Sequence, residues 1–147
     1  MPNGATNFTM SEKFLLDTCA IIWSANRKPL SDAASDALNG VLDGNGGLCV
    51  SVMSAWEVGM LVSRGRIPST KGPLVWFEDF VAHSGVAVEA VTASILVGAS
   101  YLPEPLHKDP VDRILIATAR EHDLTIITRD RAILAYGTAG HVRTLAC

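Results

Sequence analysis

Short apolar runs alternate with helix-forming segments along almost the whole chain, and this alternation limits the possible folds more than any other feature. Each run has the length of a buried strand, and apolar residues recur at helical spacing between the runs. Strands that are connected through helices pair in parallel, and the helices cover both faces of the sheet. The pattern therefore predicts an α/β fold, in which ligands bind beyond the carboxyl ends of the strands.

Apolar periodicity and capping residues set the boundaries of these elements. Strands are predicted at residues 13–17, 47–51, 86–90 and 124–128, with a last strand at 141–145. Helices are predicted at about residues 31–44, 53–65, 72–85, 92–101, 109–123 and 130–136. The helix at 109–123 is the clearest, because Asp109 is a favoured N-cap residue and Pro110 suits the first helical position.

Length and composition favour a single globular domain. The 147 residues are 48% hydrophobic, which is enough to bury one core. Residues 1–12 contain no long apolar segment and are predicted to be a flexible leader, so that the domain spans residues 13–147. The net charge of −3 gives no general sign of a nucleic-acid-binding protein, although a local basic patch can still bind one.

Cysteine usage and hydropathy bear on the cellular compartment. Cys19, Cys49 and Cys147 are an odd number of cysteines without the spacing of a metal site or a disulfide framework. Every apolar run is shorter than the roughly 18 residues that span a bilayer. We therefore expect reduced thiols, no membrane segment and a cytoplasmic location.

Four acidic residues occupy unusual positions with respect to the predicted elements. Asp17 ends the first strand, and Asp130 follows the fourth strand by two residues. Glu57 lies within the apolar stripe of its helix, formed with Met53, Trp56, Met60 and Leu61. Asp112 lies beside an apolar line one turn into the helix at 109–123. Ionised carboxylates are rarely buried without a partner, so these positions need an explanation.

Each acid also has an ordinary explanation when it is taken alone. Asp17, Asp109 and Asp130 are placed to cap helices, and Asp is a favoured cap residue. Glu57 can lie at the edge of its stripe and pair with a base such as Arg64. Asp112 is placed where a helix dipole favours an acid in the first turn. For Asp109 the capping role is preferred.

Taken together, the four acids Asp17, Glu57, Asp112 and Asp130 predict one shared site. The carboxyl ends of parallel strands meet at one edge of the sheet, where the following helices begin. Several carboxylates cannot remain ionised close together without a cation, and their oxygens suit Mg²⁺ or Mn²⁺. Such ions activate water and assist the hydrolysis of phosphodiesters.

Three stretches of the chain carry a resemblance to a known family. LLDTCAIIW, VSVMSAWEVGMLVSRGRI and LPEPLHKDPVDRILIATAREHDLTIITRD fall in the order and spacing of a PIN domain, and the chain resembles the VapC-type toxin ribonucleases of toxin–antitoxin pairs. The resemblance covers nearly all of residues 13–145, and the third stretch is the most specific. The leader departs from the usual pattern, in which the first strand starts near residue 1.

The resemblance implies a three-layer α/β/α fold with a mostly parallel twisted sheet and a metal-dependent endoribonuclease. The family's metal-binding and catalytic acids fall on Asp17, Glu57, Asp112 and Asp130. Asp109 matches a less central acid, and Thr18 and Thr128 match auxiliary residues beside the site. The usual products are a 5′-phosphate and a 3′-hydroxyl. A VapB-like antitoxin partner and a homodimer are implied as well, and the helices near 53–62 and 72–82 are candidates for both contacts.

Substrate binding needs basic residues, because the acids repel RNA. The candidates for contact with RNA or antitoxin are Arg64, Arg66, Lys71 and Arg113, with Arg129 and Arg131 as further bases near the acids. Arg113 can instead pair with an acid of the site. His107 can assist a leaving group or can be an ordinary surface residue.

Other functions remain open from the sequence. A phosphatase of the haloacid dehalogenase type needs an acid two residues after Asp17, where Cys19 stands, and no Walker-type phosphate loop is present. A non-catalytic module of the same fold that binds RNA or protein is an alternative, as is a nuclease that acts on DNA. The sequence does not specify the RNA, the number of metal ions or the antitoxin.

Overall fold

The computed structural model describes residues 12–42 and 46–147. The strands are β1 (Glu12–Leu16), β2 (Gly46–Ser51), β3 (Ala87–Glu89), β4 (Thr125–Thr128) and β5 (Arg143–Ala146). The helices are α1 (Thr18–Ala25), α2 (Asp32–Leu42), α3 (Met53–Ser63), α4 (Pro73–Ser84), α5 (Ala93–Ser100), α6 (Pro110–His122) and α7 (Arg131–Thr138). The predicted leader lies outside the described residues, except for Glu12, which begins β1.

The five strands form one sheet in the order β3-β2-β1-β4-β5, and every neighbouring pair is parallel. From the central strand β1, the chain first builds outward through β2 and β3 and later returns to add β4 and β5 on the other side. The direction of winding therefore reverses between β1 and β4, and a crevice opens beyond their carboxyl ends. The predicted α/β fold is confirmed.

Side chains alternate between the two faces of the sheet and build a separate core on each face. Leu15 and Ile126 contribute to one core together with residues of α6 and α7 such as Leu115 and Ile133. On the other face the core joins the strands to α1, α2 and α4 through Phe14, Leu16, Ile127, Ile21, Ala34 and Phe77. Two apolar cores, one on each face, make this a three-layer α/β/α structure.

Helix α6 shows how local sequence places an element beside the sheet edge. The Asp109 carboxylate accepts a hydrogen bond from the Asp112 backbone N–H at 3.0 Å, and Pro110 occupies the first helical turn. The helix ends at Asp123, whose φ of 58° is left-handed. Its apolar residues are buried from Val111 onward, and this packing holds the helix in place. The position of the helix in turn sets the position of Asp112 in its first turn.

Helix α3 differs from the stripe predicted for it. Its fully buried residues are Ser54 and Val58, whereas the Trp56 side chain is 50% exposed. The Thr18 hydroxyl donates to the Ser54 hydroxyl at 2.9 Å, so α1 and α3 meet through small polar side chains. Apolar periodicity was wrong about Trp56, whereas Met53 packs against the core and Met60 and Leu61 are half-buried. Glu57 is partly buried.

Two further predictions concern the whole chain. Cys19, Cys49 and Cys147 are free thiols. Among the described residues, every helix is too short or too polar to cross a membrane.

Candidate metal centre

Asp17 and Asp130 lie beyond the carboxyl ends of the two strands between which the sheet reverses its winding. Asp17 directly follows β1, and its backbone N–H continues the ladder by donating to the Ile127 carbonyl of β4 at 3.0 Å. Asp130 follows β4 by two residues and is the N-cap of α7. Adjacent parallel strands therefore deliver both carboxylates to one crevice.

The Asp17 carboxylate is buried and held by several donors. Its Oδ1 accepts from the Thr18 backbone N–H at 2.7 Å, which caps α1, and its Oδ2 accepts from the Thr128 hydroxyl at 2.7 Å. The Cys19 thiol is 3.4 Å from the same Oδ2. Burial raises the pKa of Asp17, while the hydrogen bond from Thr128 opposes that rise.

Thr128 joins the two strand-end acids. Its fully buried hydroxyl donates to Asp17 and accepts a hydrogen bond from the Asp130 backbone N–H at 2.9 Å. Asp130 in turn accepts from the Ile133 N–H at 3.0 Å with its Oδ1. One side chain thus orients both the Asp17 carboxylate and the start of the Asp130 turn.

Capping and site formation occur together in these residues. Asp17, Asp109 and Asp130 each use Oδ1 to accept a backbone N–H at a helix start. The second oxygens of Asp109 and Asp130 accept no hydrogen bond from the described residues, whereas Oδ2 of Asp17 accepts from Thr128. The three helices α1, α6 and α7 begin around the same crevice. The capping explanation is therefore correct for all three residues, and it leaves oxygen atoms available for another ligand.

Asp112 is the carboxylate with the least favourable surroundings. Burial is the main reason why its pKa rises to about 7, and the negative charges of Asp17, Asp109 and Asp130 raise it further. His107 opposes this rise, because its Nε2 lies 3.0 Å from Asp112 Oδ2. A buried carboxylate with three acidic neighbours favours the binding of a proton or a cation.

Glu57 approaches the same crevice from α3. Burial raises its pKa, the nearby Thr18 side chain lowers it, and the charges of Asp17, Asp109 and Asp130 raise it. Glu57 therefore lies within electrostatic range of these three acids, although its helix follows a different strand.

A cleft of about 360 Å³ brings these residues together. Its lining consists of Asp17, Thr18, Cys19, Ile22, Glu57, Leu61, Asp109, Asp112, Arg129 and Asp130. A larger cavity, of about 1030 Å³, lies near the opposite strand ends, and its described lining has three acids and two arginines. The smaller cleft is the better candidate for chemistry, because its described lining sets five carboxylates against one arginine.

The donor set of the cleft fits a divalent metal ion. One ligand atom each from His107, Asp112 and Asp130 lies within 4.8 Å of the other two, a spacing that one ion can bridge. Burial and the charges of neighbouring acids raise the pKa of Asp112, and a cation beside it would favour the ionised carboxylate. Carboxylate oxygens suit Mg²⁺ and Mn²⁺, and an imidazole nitrogen adds preference for Mn²⁺ over Mg²⁺.

The sequence matches the PIN domain family over residues 14–138. The chain belongs to the PIN domain family. It is 33% identical over 123 residues to Ribonuclease VapC22 of Mycobacterium tuberculosis. The aligned residues cover 83% of this chain and 90% of that protein. The predicted resemblance is confirmed.

Solved structures share the fold of this PIN domain. VapBC2 from Rickettsia felis, bound to a DNA fragment from its promoter, superposes with a TM-score of 0.67 at 16% identity, over 91% of this chain and 98% of that one. FitAcB from Neisseria gonorrhoeae gives a TM-score of 0.60 at 18% identity, over 90% and 96% of the two chains. At these identities the comparison supports the fold alone.

The PIN domain places the predicted basic residues at different distances from the cleft. Arg113 donates to the carbonyls of Ala99 and His107 and pairs with Glu104, so its guanidinium holds the loop before α6 in place. Lys71 pairs with Asp79 on α4. Arg64 and Arg66 are exposed after α3 and are absent from the cleft lining. The structure does not bring these four residues into the acidic cluster.

Two further residues, Cys19 and Arg129, line the cleft beside the acids. Cys19 lines the cleft, but burial raises its pKa to about 12, so it remains a neutral thiol. Arg129 also lines the cleft and stacks on the Trp23 ring. The position of Arg129 immediately before Asp130 was the available signal. The stacking depends on α1, whose boundaries had not been predicted.

Proposed function

We propose that this PIN domain is a divalent-metal-dependent endoribonuclease of the VapC type, which acts as the toxin of a toxin–antitoxin pair in the cytoplasm. The observation that carries the proposal is the convergence of Asp17, Glu57, Asp112 and Asp130 on one cleft at the reversal point of the sheet. The 33% identity to a protein named as a ribonuclease supports the choice of substrate.

The metal ligands in this proposal are Asp17, Glu57, Asp112 and Asp130, with His107 as a further nitrogen donor beside Asp112 and with Asp109 close by as an auxiliary acid. One or two Mg²⁺ or Mn²⁺ ions held there would lower the pKa of water and stabilise the charge that develops on a phosphodiester. The raised pKa values of Asp17, Glu57 and Asp112 support cation binding, because a cation relieves the repulsion among ionised carboxylates.

The protein's own groups prepare the site before substrate arrives. Thr128 and the Thr18 backbone N–H hold both oxygens of Asp17 and fix the orientation of that carboxylate. The N-termini of α1, α6 and α7 surround the cleft, and their dipoles favour an anionic phosphate near the acids. These contacts are already formed in the free protein, which reduces the reorganisation needed during the reaction.

Water is the expected nucleophile. Any of the four carboxylates that does not bind a metal ion directly can orient that water, and Glu57, which reaches the cleft from α3, is one of them. Attack by water at phosphorus releases the 3′-oxygen and leaves a 5′-phosphate and a 3′-hydroxyl. A ribose 2′-hydroxyl nucleophile would instead leave a cyclic phosphate.

A cognate VapB-like antitoxin and a second copy of the chain are the proposed protein partners. Large apolar side chains stay exposed on α3 and α4, namely Trp56 at 50%, Leu74 at 64% and Val75 at 49%. Helices α3 and α4 pack against each other, so these residues belong to one helical layer. Exposed apolar surface of this kind is typical of protein interfaces.

The first experiment measures cleavage by the purified chain, freed of any antitoxin. The chain is incubated with total RNA and, separately, with single-stranded DNA in Mg²⁺ or Mn²⁺. EDTA and the Asp112→Asn variant serve as controls. We expect discrete RNA products that carry 5′-phosphates and that disappear in both controls.

The alternatives give different results. Cleavage of DNA but not RNA would replace the ribonuclease with a DNA-directed nuclease of the same fold. A folded chain that binds RNA, cleaves neither nucleic acid and is unaffected by Asp112→Asn would be a non-catalytic binding module. Cleavage that persists in EDTA would exclude the proposed metal-dependent mechanism.

A further inference from the structure

We propose that Arg129, held by the indole ring of Trp23, binds a backbone phosphate of the nucleic acid at the rim of the acidic cleft. Trp23 is then the positioning residue for Arg129. This inference rests on the proposed nuclease function and adds a substrate-binding group to it. It differs from the basic candidates after α3, which lie outside the cleft lining.

The two side chains form a well-defined pair. The guanidinium carbon of Arg129 lies 3.9 Å from the centroid of the Trp23 ring, within the range of a cation–π contact. The indole N–H donates to the Pro29 carbonyl at 2.8 Å, which fixes the orientation of the ring. Trp23 lies on α1, the helix that Asp17 caps, and Arg129 directly precedes Asp130. The pair is therefore built on the same two chain segments as the acids.

Arg129 uses none of its side-chain hydrogen bonds on the described part of the protein. Within residues 12–42 and 46–147, its guanidinium forms no ion pair and donates no hydrogen bond. Three other arginines use theirs on the protein: Arg113 on two carbonyls, Arg120 on the His141 carbonyl and Arg143 on Thr125 and Asp123. The described contacts of Arg27, Arg64, Arg66 and Arg131 include no such bond either, but these four residues lie outside the cleft lining. A guanidinium stacked by its face keeps the N–H groups at its edge free, and these match two phosphate oxygens.

The charge of the cleft lining explains why a phosphate-binding base is needed there. Asp17, Glu57, Asp109, Asp112 and Asp130 line the cleft, and among the described lining residues Arg129 is the one base. A polyanion that approaches this cleft meets repulsion from the carboxylates unless positive charge is near. A stacked arginine is already ordered, so it loses less freedom on binding than a mobile surface lysine would.

The test measures RNA binding separately from cleavage. Fluorescence anisotropy with a short fluorescein-labelled oligouridine is recorded in Ca²⁺ over a range of salt concentrations, and a denaturing gel checks that the probe stays intact. Arg129→Ala is compared with Arg131→Ala, a matched loss of one positive charge two residues away and outside the cleft lining. We expect Arg129→Ala to weaken binding about 10-fold and to lower the salt slope by about 0.7. Arg131→Ala should change binding less than about 2-fold.

A double-mutant cycle tests the role of Trp23. Trp23→Phe keeps a ring and should retain most of the affinity, whereas Trp23→Leu should weaken binding. In an Arg129→Ala background, Trp23→Leu should have no further effect, because the ring acts only through the guanidinium. Thermal melts of all variants identify any loss of folding.

The outcomes separate this inference from the proposed function. If the wild-type chain binds and cleaves RNA while Arg129→Ala equals Arg131→Ala, the Arg129 assignment is wrong and the nuclease stands. An additive effect of Trp23→Leu in the double mutant overturns the positioning role of Trp23. If the wild-type chain neither binds nor cleaves RNA or single-stranded DNA, both proposals fall. Preference for a DNA probe would keep the assignment and change the substrate.

Discussion

The Nε2 atom of His107 lies 3.0 Å from Oδ2 of Asp112, at the edge of the acidic cleft. His107 belongs to the loop before α6, and its side chain is 34% exposed, whereas that of Asp112 is only 12% exposed. The His107 imidazole is thus in contact with a carboxylate whose other charged neighbours are acids. It links the loop that Arg113 anchors to the centre of the site.

Removal of the Asp112 charge should stabilise the metal-free protein. The folded-state pKa of Asp112 is about 7, against an ordinary value of 3.8, so between these pH values the folded chain binds a proton that the unfolded chain has released. Metal-free wild type should therefore lose stability as the pH rises through this window. At pH 8, Asp112→Asn should be more stable by about 1–2 kcal/mol, since water in the open cleft screens part of the interaction.

Urea unfolding at several pH values in EDTA measures this effect. A Mn²⁺ titration without EDTA then measures how much the metal ion stabilises each protein. Mn²⁺ should stabilise the wild type by about 2.7 kcal/mol at one hundred times its dissociation constant, and the variant much less. Equal stabilisation of both proteins by Mn²⁺ would show that Asp112 is not a ligand.

His107→Ala should change metal preference more than it changes folding. An imidazole nitrogen favours Mn²⁺ over Mg²⁺, so the variant should lose about 10-fold in Mn²⁺ affinity and much less in Mg²⁺ affinity. Isothermal titration calorimetry with each ion measures the difference. His122→Ala is the matched control, because His122 pairs with Glu89 and Glu121 outside the cleft. Equal losses of affinity for Mn²⁺ and Mg²⁺, or an equal loss of Mn²⁺ affinity in His122→Ala, would contradict a ligand role for His107.

Thr128→Val should damage both the fold and the site. The substitution removes the donor to Asp17 and the acceptor for the Asp130 N–H, and each buried group left unpaired costs about 1–3 kcal/mol. The pKa of Asp17 should rise further, because the hydrogen bond from Thr128 lowers it. Metal affinity should therefore fall as well.

The control for this prediction lies on the same strand. Thr125→Val also removes a buried hydroxyl, but Thr125 bonds to Glu12 and Arg143 at the opposite end of β4. Both variants should unfold at lower urea concentration, and only Thr128→Val should bind Mn²⁺ more weakly. Equal metal affinities would mean that Thr128 has a structural role alone.

The apolar side chains on α3 and α4 should form the contact between two copies of the chain. Light scattering of the wild type should give a mass near twice 15.6 kDa. The double substitution Trp56→Ser and Leu74→Ser should give monomers, since it removes exposed apolar area without touching the core. Leu96→Ser with Val97→Ser on α5 is the matched control. If the substitutions on α5 give monomers and those on α3 and α4 do not, the interface between the two copies lies on α5.

Several features of this fold could be predicted because they depend on local sequence. Pro110 and the Asp109 cap determine the start of α6, and apolar runs mark the strands. The convergence of Asp17 and Asp130 followed from a general property, because parallel strands end at the same edge of a sheet. Helix α1 had no predicted boundaries, although Asp17 was placed to cap a helix that follows the first strand.

Periodicity was less informative where tertiary packing chose between faces of a helix. For α3 the larger apolar residues predicted a face that includes Trp56, but the close approach of α1 selects Ser54 and Val58. Glu57 still reaches the cleft, because it lies three residues after the buried Ser54 and so on the same side of the helix. Its partners could not be predicted, since they belong to segments far away in the chain.

The sequence by itself determined which carboxylates stand at the ends of strands and the starts of helices, because backbone propensity and capping act over a few residues. Only the tertiary structure decided how those carboxylates meet. The strand order places β1 beside β4, burial raises the pKa of Asp112, and the stacking of Arg129 on Trp23 joins segments more than one hundred residues apart. Desolvation and Coulomb interactions depend on distance in space, and a linear pattern does not contain that distance.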